Sequence, residues 1–228
     1  MVQVSRRTGF TGSALIRLLA RLTDTSVPES KQAFADRLSQ WVSWTDAISL
    51  AGALDGSPAT APSGARVPLS AEESECASAR ATLVHAIAAP MDVAADFSPY
   101  RQRYISRQQA MEASVGPLRE RLRARLAAGS PAMARLAAVD AVMEHALGVH
   151  EHRLLSTVPS LLEKHFKRLR KADETAQAAA EAPAEPLNGV QPGAWLDVFR
   201  KDMQGVLLAE LDIRFQPVEG LLEALRVS

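Results

Sequence analysis

Apolar residues recur at every third or fourth position through most of this chain, and this spacing constrains the fold more than any other feature of the sequence. Side chains at such a spacing share one face of an α-helix, whereas a strand would alternate apolar and polar residues. No long segment shows that alternation. The pattern therefore predicts an all-α protein. The clearest apolar stripe lies between residues 98 and 128 and consists of Tyr100, Tyr104, Met111, Val115, Leu118, Leu122 and Leu126.

The composition of the chain supports a helical fold. Of its 228 residues 40 are alanine, whereas aromatic residues make up only 5%. Alanine loses no side-chain entropy in a helix, while strands favour β-branched and aromatic residues. With 47% hydrophobic residues, the chain is also long and apolar enough to bury a core.

Capping residues indicate where helices begin in the first half of the chain. A serine or threonine followed three residues later by glutamate forms a capping box, which satisfies free N–H groups at a helix start. A flexible loop is predicted at 55–69 from its Gly, Ser and Pro content. The predicted helix starts are Thr11 or Ser13, Ser26 with Glu29, and Ser70 with Glu73. The helix from Ser26 is expected to continue through Trp41 to Ile48 as one apolar stripe, and the helix from Ser70 through Cys76, Leu83 and Ile87.

Glycine and proline divide the second half of the chain. A helix is predicted from Ser98 toward Ala128, with a kink or interruption at Gly116-Pro117. A second helix begins after the Gly-Ser-Pro turn at 129–131 and continues until Pro159 bends or restarts it toward residue 171. Two long helices joined by a tight turn predict an antiparallel hairpin.

The stretch at 172–192 is rich in Ala, Glu and Pro and poor in large apolar residues, so it is predicted to be a mobile linker. Amphipathic helical sequence follows it. We therefore predict an irregular helical bundle at 10–171, built around the hairpin, then the linker at 172–192 and a tethered C-terminal helical segment at 193–228.

The arginines between Arg101 and Arg125 form a candidate nucleic-acid site. Some of them flank one side of the apolar stripe and others flank the opposite side. A nucleic-acid helix more usually collects its charge on one outward face. Flanking charges are typical of helices that pack against a partner helix and pair at the edges of the contact. We favour such packing, in a bundle or with a partner protein, and keep nucleic-acid binding as the alternative. The arginines on one side of the stripe are Arg103, Arg107, Arg121 and Arg125, and those on the opposite side are Arg101, Arg119 and Arg123.

The segment "VMEHALGVHEHRLL" at 142–155 holds three of the five histidines in the chain and is a candidate metal or proton-transfer site. Ligands on one helix meet a single ion when they are three or four residues apart. No two members of the cluster have that spacing, and only His150 is predicted to lie on the apolar seam with Met143 and Leu147. We therefore expect a structural role, with a metal-dependent enzyme as a second alternative. The cluster consists of Glu144, His145, His150, Glu151 and His152.

Other catalytic signals are weak, and we expect no enzymatic activity, catalytic residue, metal or cofactor. Cys76 is the single cysteine, which excludes an intrachain disulfide and fits a reducing compartment. It lies nine residues from His85 with no third group placed beside them. The glycines of "RTGFTGSAL" lack the lysine of a P-loop. The start of the chain resembles a twin-arginine export signal, but Arg17 and Arg21 interrupt its apolar run, so we expect a cytoplasmic protein without membrane insertion.

Three segments together resemble a bacterial family catalogued as domain of unknown function 3348. They are "SRRTGFTGSALIRLLARLTD", "VPESKQAFADRLSQWVSWTDAISL" and "LAAVDAVMEHALGVHEHRLLSTVPSLLEKHFKRL". The resemblance spans most of the chain and brings no catalytic or binding residues with it. Members tend to be encoded near membrane proteins with OmpA-like or motor-stator-like domains, which implies a cytoplasmic accessory to an envelope assembly.

The favoured hypothesis is a non-enzymatic scaffold or adaptor that binds another protein, or itself, through amphipathic helices. The C-terminal segment is expected to dock either into a groove of a partner or back onto its own core. The predicted interaction residues are Arg103, Arg107, Arg121, Arg125, Trp195, Phe199 and Val206.

Overall fold

A computed structural model of the chain describes residues 14–24, 34–55, 68–92, 94–180 and 193–227. Within these ranges the chain forms α-helices and no strand, so the all-α prediction is confirmed. The helices are α1 (Ala14–Thr23), α2 (Phe34–Trp41), α3 (Trp44–Asp55), α4 (Leu69–Ala88), α5 (Ser98–Ala127), α6 (Pro131–Leu155), α7 (Val158–Ala180) and α8 (Ala194–Arg226).

Helices α5 and α8 form the centre of the bundle. They share the largest contact between any two helices in the described part of the chain, and α1, α4 and α7 pack around α8. The predicted stripe of α5 is buried as expected, with only Val115 partly exposed. Twelve residues of α8 are also buried, including Phe199, Val206 and Phe215.

Helices α5 and α6 are joined by the predicted Gly-Ser-Pro turn, where Ser130 caps α6 by accepting a hydrogen bond from the main-chain N–H of Met133 at 3.4 Å. Their contacts run in opposite directions along the two helices. Arg119 near the end of α5 pairs with Asp140, whereas Gln108, earlier on α5, reaches the carbonyl of Leu155 at the end of α6. Of the kink or interruption predicted at Gly116-Pro117, the interruption is absent, because α5 continues through Pro117.

The C-terminal part of the chain differs from our prediction in two ways. Helix α7 continues to Ala180, so residues 172–180 are helical rather than linker. Alanine, glutamate and glutamine are strong helix formers, and an exposed helix needs no apolar face to propagate. The remaining predicted linker residues, 181–192, lie outside the described ranges. Helix α8 is not a peripheral appendage, because it supplies much of the core.

The predicted second helix is two helices. Helix α2 ends at Trp41, and Ser43 caps α3 through a reciprocal pair with Asp46: its hydroxyl accepts from the Asp46 N–H at 3.1 Å, and the Asp46 carboxylate accepts from the Ser43 N–H at 3.1 Å. This capping box starts a new helix inside what we predicted as one stripe. The capping signals at 11–13 and at Ser26 lie outside the described residues.

Two further details of the helices are corrected. Helix α4 begins at Leu69, with Pro68 before it, rather than after a Ser70 cap. On α6 the buried positions are mostly alanines, and the larger Leu136 and Leu154 are exposed. Small residues allow α6 to pack closely on its neighbour. The core-facing side of α6 therefore contains few of the large apolar residues from which we predicted the helix.

Candidate functional site

Three of the four arginines predicted to contact a partner pair within the chain. Arg121 lies 2.5 Å from Glu75, and Arg125 lies 3.8 Å from Glu72, both on α4. Arg103 donates to the carbonyls of Ala89 and Pro90, just beyond the end of α4. Burial, and then the nearby Arg107, lowers the pKa of Arg103. These contacts hold α5 against α4.

Two of the three arginines on the other edge of the stripe, Arg119 and Arg123, pair with α6. Arg119 forms a two-pronged contact with Asp140, at 2.9 and 2.7 Å. Arg123 contacts both Asp140 and Glu144. Burial alone would lower the pKa of Arg123, but the hydrogen bonds and charges of Glu144 and Asp140 outweigh it and raise that pKa. Pairing at both edges of the stripe is the packing that the flanking charges predicted. Among these arginines Arg107 has a buried Nε without a hydrogen-bond partner in the described part of the chain.

The predicted interaction residues of the C-terminal segment lie in the core. Phe199 and Val206 are both 0% exposed, and Phe199 makes an edge contact with Tyr100 at 5.2 Å between ring centroids. Trp195 contacts Phe166 in the same manner at 5.0 Å. This chain itself covers Phe199 and Val206, whereas Trp195 is only partly buried and packs against the core.

The Glu/His cluster is divided between two sides of α6. His150 is half-buried and stacks on Trp41 of α2, with ring centroids 5.7 Å apart and an angle of 22° between the planes. His145 lies near Asp46 of α3, whose pKa is lowered mainly by hydrogen bonds from Ser43 and in smaller part by His145. His150 thus faces the outer helices rather than the buried seam that we expected.

The other members of the cluster face α5 and α8. His152 lies 3.8 Å from Glu112, and Glu151 lies 3.8 Å from Arg214. Within the described ranges, no group of three or more His, Cys, Asp or Glu side chains is arranged to hold a metal ion. The members of the cluster lie on two sides of α6, so their side chains do not converge on one point.

A buried carboxylate, which the sequence analysis missed, joins α5 to α8. Glu210 is 0% exposed and accepts hydrogen bonds from the Tyr104 hydroxyl at 2.6 Å and from Gln108 Nε2 at 3.0 and 3.1 Å. Arg214, one turn along α8, pairs with it at 2.9 Å. Burial, followed by the charge of Glu210, raises the pKa of Tyr104 well above its usual range. The available signal was Glu210 inside the apolar run "VLLAEL", four residues after Val206 and therefore on the same helix face.

Arg214 connects this buried network to an open cleft of ≈ 280 Å³ between α5, α6 and α8. Its Nη1 atom lies 3.6 Å from Glu112 and 3.8 Å from Glu151, at the edge of the cleft. A second cavity of ≈ 320 Å³ shares Glu112, His152 and Arg214 with it. The first cleft is lined by Glu112, Val115, Gly116, Arg119, Met143, Glu144, Leu147, Gly148, Glu151, His152, Ile213, Arg214 and Pro217.

A second buried polar network holds α1 in place. His165 is 4% exposed, and its Nε2 lies 2.8 Å from Asp202 of α8. Arg168 donates to His165 Nδ1 at 3.1 Å and to the carbonyl of Leu22, at the end of α1, at 2.8 Å. A guanidinium can only donate, so Nδ1 accepts and Nε2 carries the proton. With two polar partners on its ring, His165 is satisfied as part of the fold.

Helices α2 and α3 lie outside the bundle, where α3 packs on α6 and has no buried residue of its own. Seven of the eleven large hydrophobic side chains that are exposed in the described residues belong to α2, α3 and α6. Trp44 is 81% exposed and Val149 is 69% exposed. We call these seven residues the α3/α6 surface; they are Trp41, Trp44, Ile48, Leu54, Leu136, Val149 and Leu154.

Cys76, the single cysteine, lies inside the bundle. Cys76 is 4% exposed, and burial, followed by the charges of Glu72 and Glu75, raises the pKa of its thiol. The thiol therefore lacks the exposure and thiolate character of a nucleophile.

Among the described helices, none combines the length and apolarity needed to cross a bilayer.

Comparison with known proteins yields one match. A family model described as "Protein of unknown function (DUF3348)" covers residues 1–227. No curated protein and no solved structure matches the chain.

Proposed function

The chain belongs to that family of unknown function, and we propose that it is a non-enzymatic helical scaffold or adaptor that binds a partner protein through the α3/α6 surface. The observation that carries this proposal is the concentration of exposed apolar side chains on α2, α3 and α6. Large exposed apolar patches on folded proteins commonly mark protein contacts. Tryptophan is also among the residues that contribute most to binding energy at interfaces.

The attachment of α2 and α3 supports the same proposal. Among the described helices, only α6 makes substantial contacts with α3. The outer layer therefore presents one side to the bundle while Trp44, Ile48 and Leu54 stay exposed on it. A partner helix that packs onto these residues would bury apolar surface without opening the core.

The two alternatives have less support. Nucleic-acid binding through Arg101–Arg125 would require cations free to contact phosphates, yet Arg119, Arg121 and Arg123 pair with carboxylates of neighbouring helices. A metal-dependent enzyme would need the 144–152 cluster to converge, whereas His150 and His152 lie toward different neighbours.

We further propose that the protein acts in the cytoplasm of a bacterium, as an accessory to an envelope assembly. The resemblance described above implies this setting. A single buried cysteine is compatible with a reducing compartment. The proposed partner is then a cytoplasmic segment of an envelope protein, or a second copy of this chain.

Pull-down from native lysate with mass spectrometry tests the proposal when it compares the wild-type chain with a double variant, Trp44→Glu with Ile48→Glu. Both side chains are more than half exposed, so the variant should keep the helical circular dichroism of the wild type. We expect its specific partners to be lost. Val198→Glu, at a half-exposed site on α8 outside the α3/α6 surface, is the matched control and should keep them.

Light scattering at several protein concentrations addresses self-association with the same three proteins. A concentration-dependent dimer that only the double variant lacks would identify the partner as a second copy. If the wild-type chain stays monomeric and captures the same proteins as the double variant, the α3/α6 surface is not an interface and the proposal fails.

A further inference from the structure

Residues that destabilise helices are concentrated at the cleft between α5, α6 and α8. Gly116 and Gly148 line it from α5 and α6, and Pro217 lines it from α8. Glycine and proline inside a helix are both less stable than alanine. A Cβ atom at Gly116 or Gly148 would meet nothing within 4 Å, so packing does not require glycine at either position. Neither glycine is therefore needed for helix stability or for packing. Both lie in the wall of the cleft, where the absence of a side chain leaves space.

The proline adds an acceptor to the cleft. Pro217 has no N–H to donate to the carbonyl of Ile213, four residues earlier, so that carbonyl lacks its usual helical partner. Both residues line the cleft. A main-chain oxygen that lacks its usual helical donor, beside carboxylates, favours a ligand that brings hydrogen-bond donors.

The charges around the cleft leave an excess of negative charge at its rim. Arg119 is balanced by Asp140, and Arg214 is balanced by the buried Glu210. The carboxylates of Glu112 and Glu151 lie 3.6 and 3.8 Å from Arg214 Nη1, beyond hydrogen-bond distance, and are half-exposed. These two carboxylates can therefore accept hydrogen bonds from a cation that enters the cleft.

We propose that this cleft binds a small molecule that carries a protonated amine on a short apolar chain. The ammonium group donates to Glu112 and Glu151, and the apolar chain packs against Val115, Met143 and Leu147. The volume of ≈ 280 Å³ is near the lower end for small-molecule pockets, which favours a compact ligand. The site is separate from the α3/α6 surface and does not depend on the proposed function.

A titration of the full-length chain with hexylamine, followed by NMR chemical shifts, tests the charge and the shape of the ligand together. We expect saturable shifts at the cleft. The neutral analogue 1-hexanol and the anion hexanoate should bind at least about tenfold more weakly, because neither offers a charged donor to the carboxylates. Nα-Acetyl-lysinamide is a further probe, because a lysine side chain of a partner protein presents the same amine.

Variants separate the cleft from the rest of the molecule. Glu112→Gln and Glu151→Gln should each weaken hexylamine binding about tenfold, while Glu120→Gln makes the same charge change at an exposed site of α5 outside the cleft and should not. Gly148→Ala should raise the Tm by about 2–4 °C, as alanine favours the helix, and still weaken binding. Gly205→Ala, in α8 and outside the cleft, should raise the Tm without that loss.

The proposal fails if hexylamine gives no saturable shifts at the cleft, or if it binds no better than 1-hexanol. It also fails if Glu112→Gln and Glu151→Gln bind as the wild type does. Saturable binding of Nα-acetyl-lysinamide without binding of hexylamine would assign the cleft to a protein lysine and overturn the small-molecule form of the proposal.

Discussion

Replacing Tyr104 by phenylalanine tests the buried Glu210 network through its dependence on pH. Tyr104 is fully buried and donates its hydroxyl proton to Glu210 at 2.6 Å. The Tyr104→Phe variant removes this bond, but Gln108 still donates to the same carboxylate at 3.1 Å. A hydrogen bond to a charged group contributes about 1.5–3 kcal/mol to stability. Because Gln108 still donates to the carboxylate, we expect the variant to lose an amount at the low end of this range, about 1.5 kcal/mol at pH 8.

The difference in free energy of unfolding between the wild type and Tyr104→Phe should disappear at alkaline pH. The pKa of Tyr104 is raised in the folded chain, so the folded state keeps the phenol proton while the unfolded chain releases it above about pH 10. The Tyr104 phenol therefore contributes its full share to the free energy of unfolding below pH 10. This share is lost at about 1.4 kcal/mol per pH unit as the pH rises toward the pKa of the folded state. The variant has no phenol to titrate. We therefore expect wild type and variant to become equally stable near about pH 11.

Urea denaturation followed by circular dichroism at pH 8, 10 and 11 measures this convergence. Lysine titration contributes to both proteins alike and cancels in the difference. Tyr100→Phe is the control at pH 8, because within the described ranges its hydroxyl hydrogen-bonds the uncharged main chain of Ala94, at 3.2 and 3.3 Å. The loss of this hydroxyl should cost about 0.5–1.5 kcal/mol. A difference between wild type and Tyr104→Phe that is the same at pH 8 and pH 11 would refute the reasoning.

Three further predictions concern packing within the chain. Asp140→Ala removes the carboxylate that two largely buried arginines of α5 share, so urea denaturation should show a loss of about 2–3 kcal/mol, and a loss below 1 kcal/mol would contradict the pairing. The Cys76 thiol should react with a disulfide reagent at least about tenfold more slowly in the native chain than in denaturant, and equal rates would show that it is exposed. Arg168→Met removes the donor to the end of α1, so hydrogen exchange should quicken at residues 14–23 but not in α5. Unchanged exchange at 14–23 would mean that α1 is held by its apolar residues alone.

The sequence was sufficient for the fold class and for the breaks that depend on local chemistry. The turn at Gly129 to Pro131 and the restart near Pro159 were predicted because glycine and proline act on their own backbone. The division between α2 and α3 was missed although Ser43 and Asp46 have capping spacing, because an apolar stripe continued across it. The helical extension to Ala180 was missed because low apolar content reports on packing rather than on helix propensity.

The arrangement of the helices could not be read from any one of them. Amphipathic patterns show that α8 buries a face, but not whether that face meets this chain or another protein. Tyr104 and Glu210 are 106 residues apart, and only the packing of α5 on α8 brings them together. The cleft depends on the relative positions of Gly116, Gly148 and Pro217 on three helices, and no local pattern contains that information.

The central position of α8 affects how the chain can fold during synthesis. Helix α5 finds its main packing partner only after α8 has been made, and roughly one hundred residues lie between their C-terminal ends. At about 5–20 residues per second this delay is on the order of ten seconds. During that interval the apolar face of α5, including Tyr104, Met111 and Leu122, lacks the helix that covers it in the finished bundle. Until α8 has been made, the growing chain therefore exposes an apolar helix face of the kind that favours aggregation in folding intermediates.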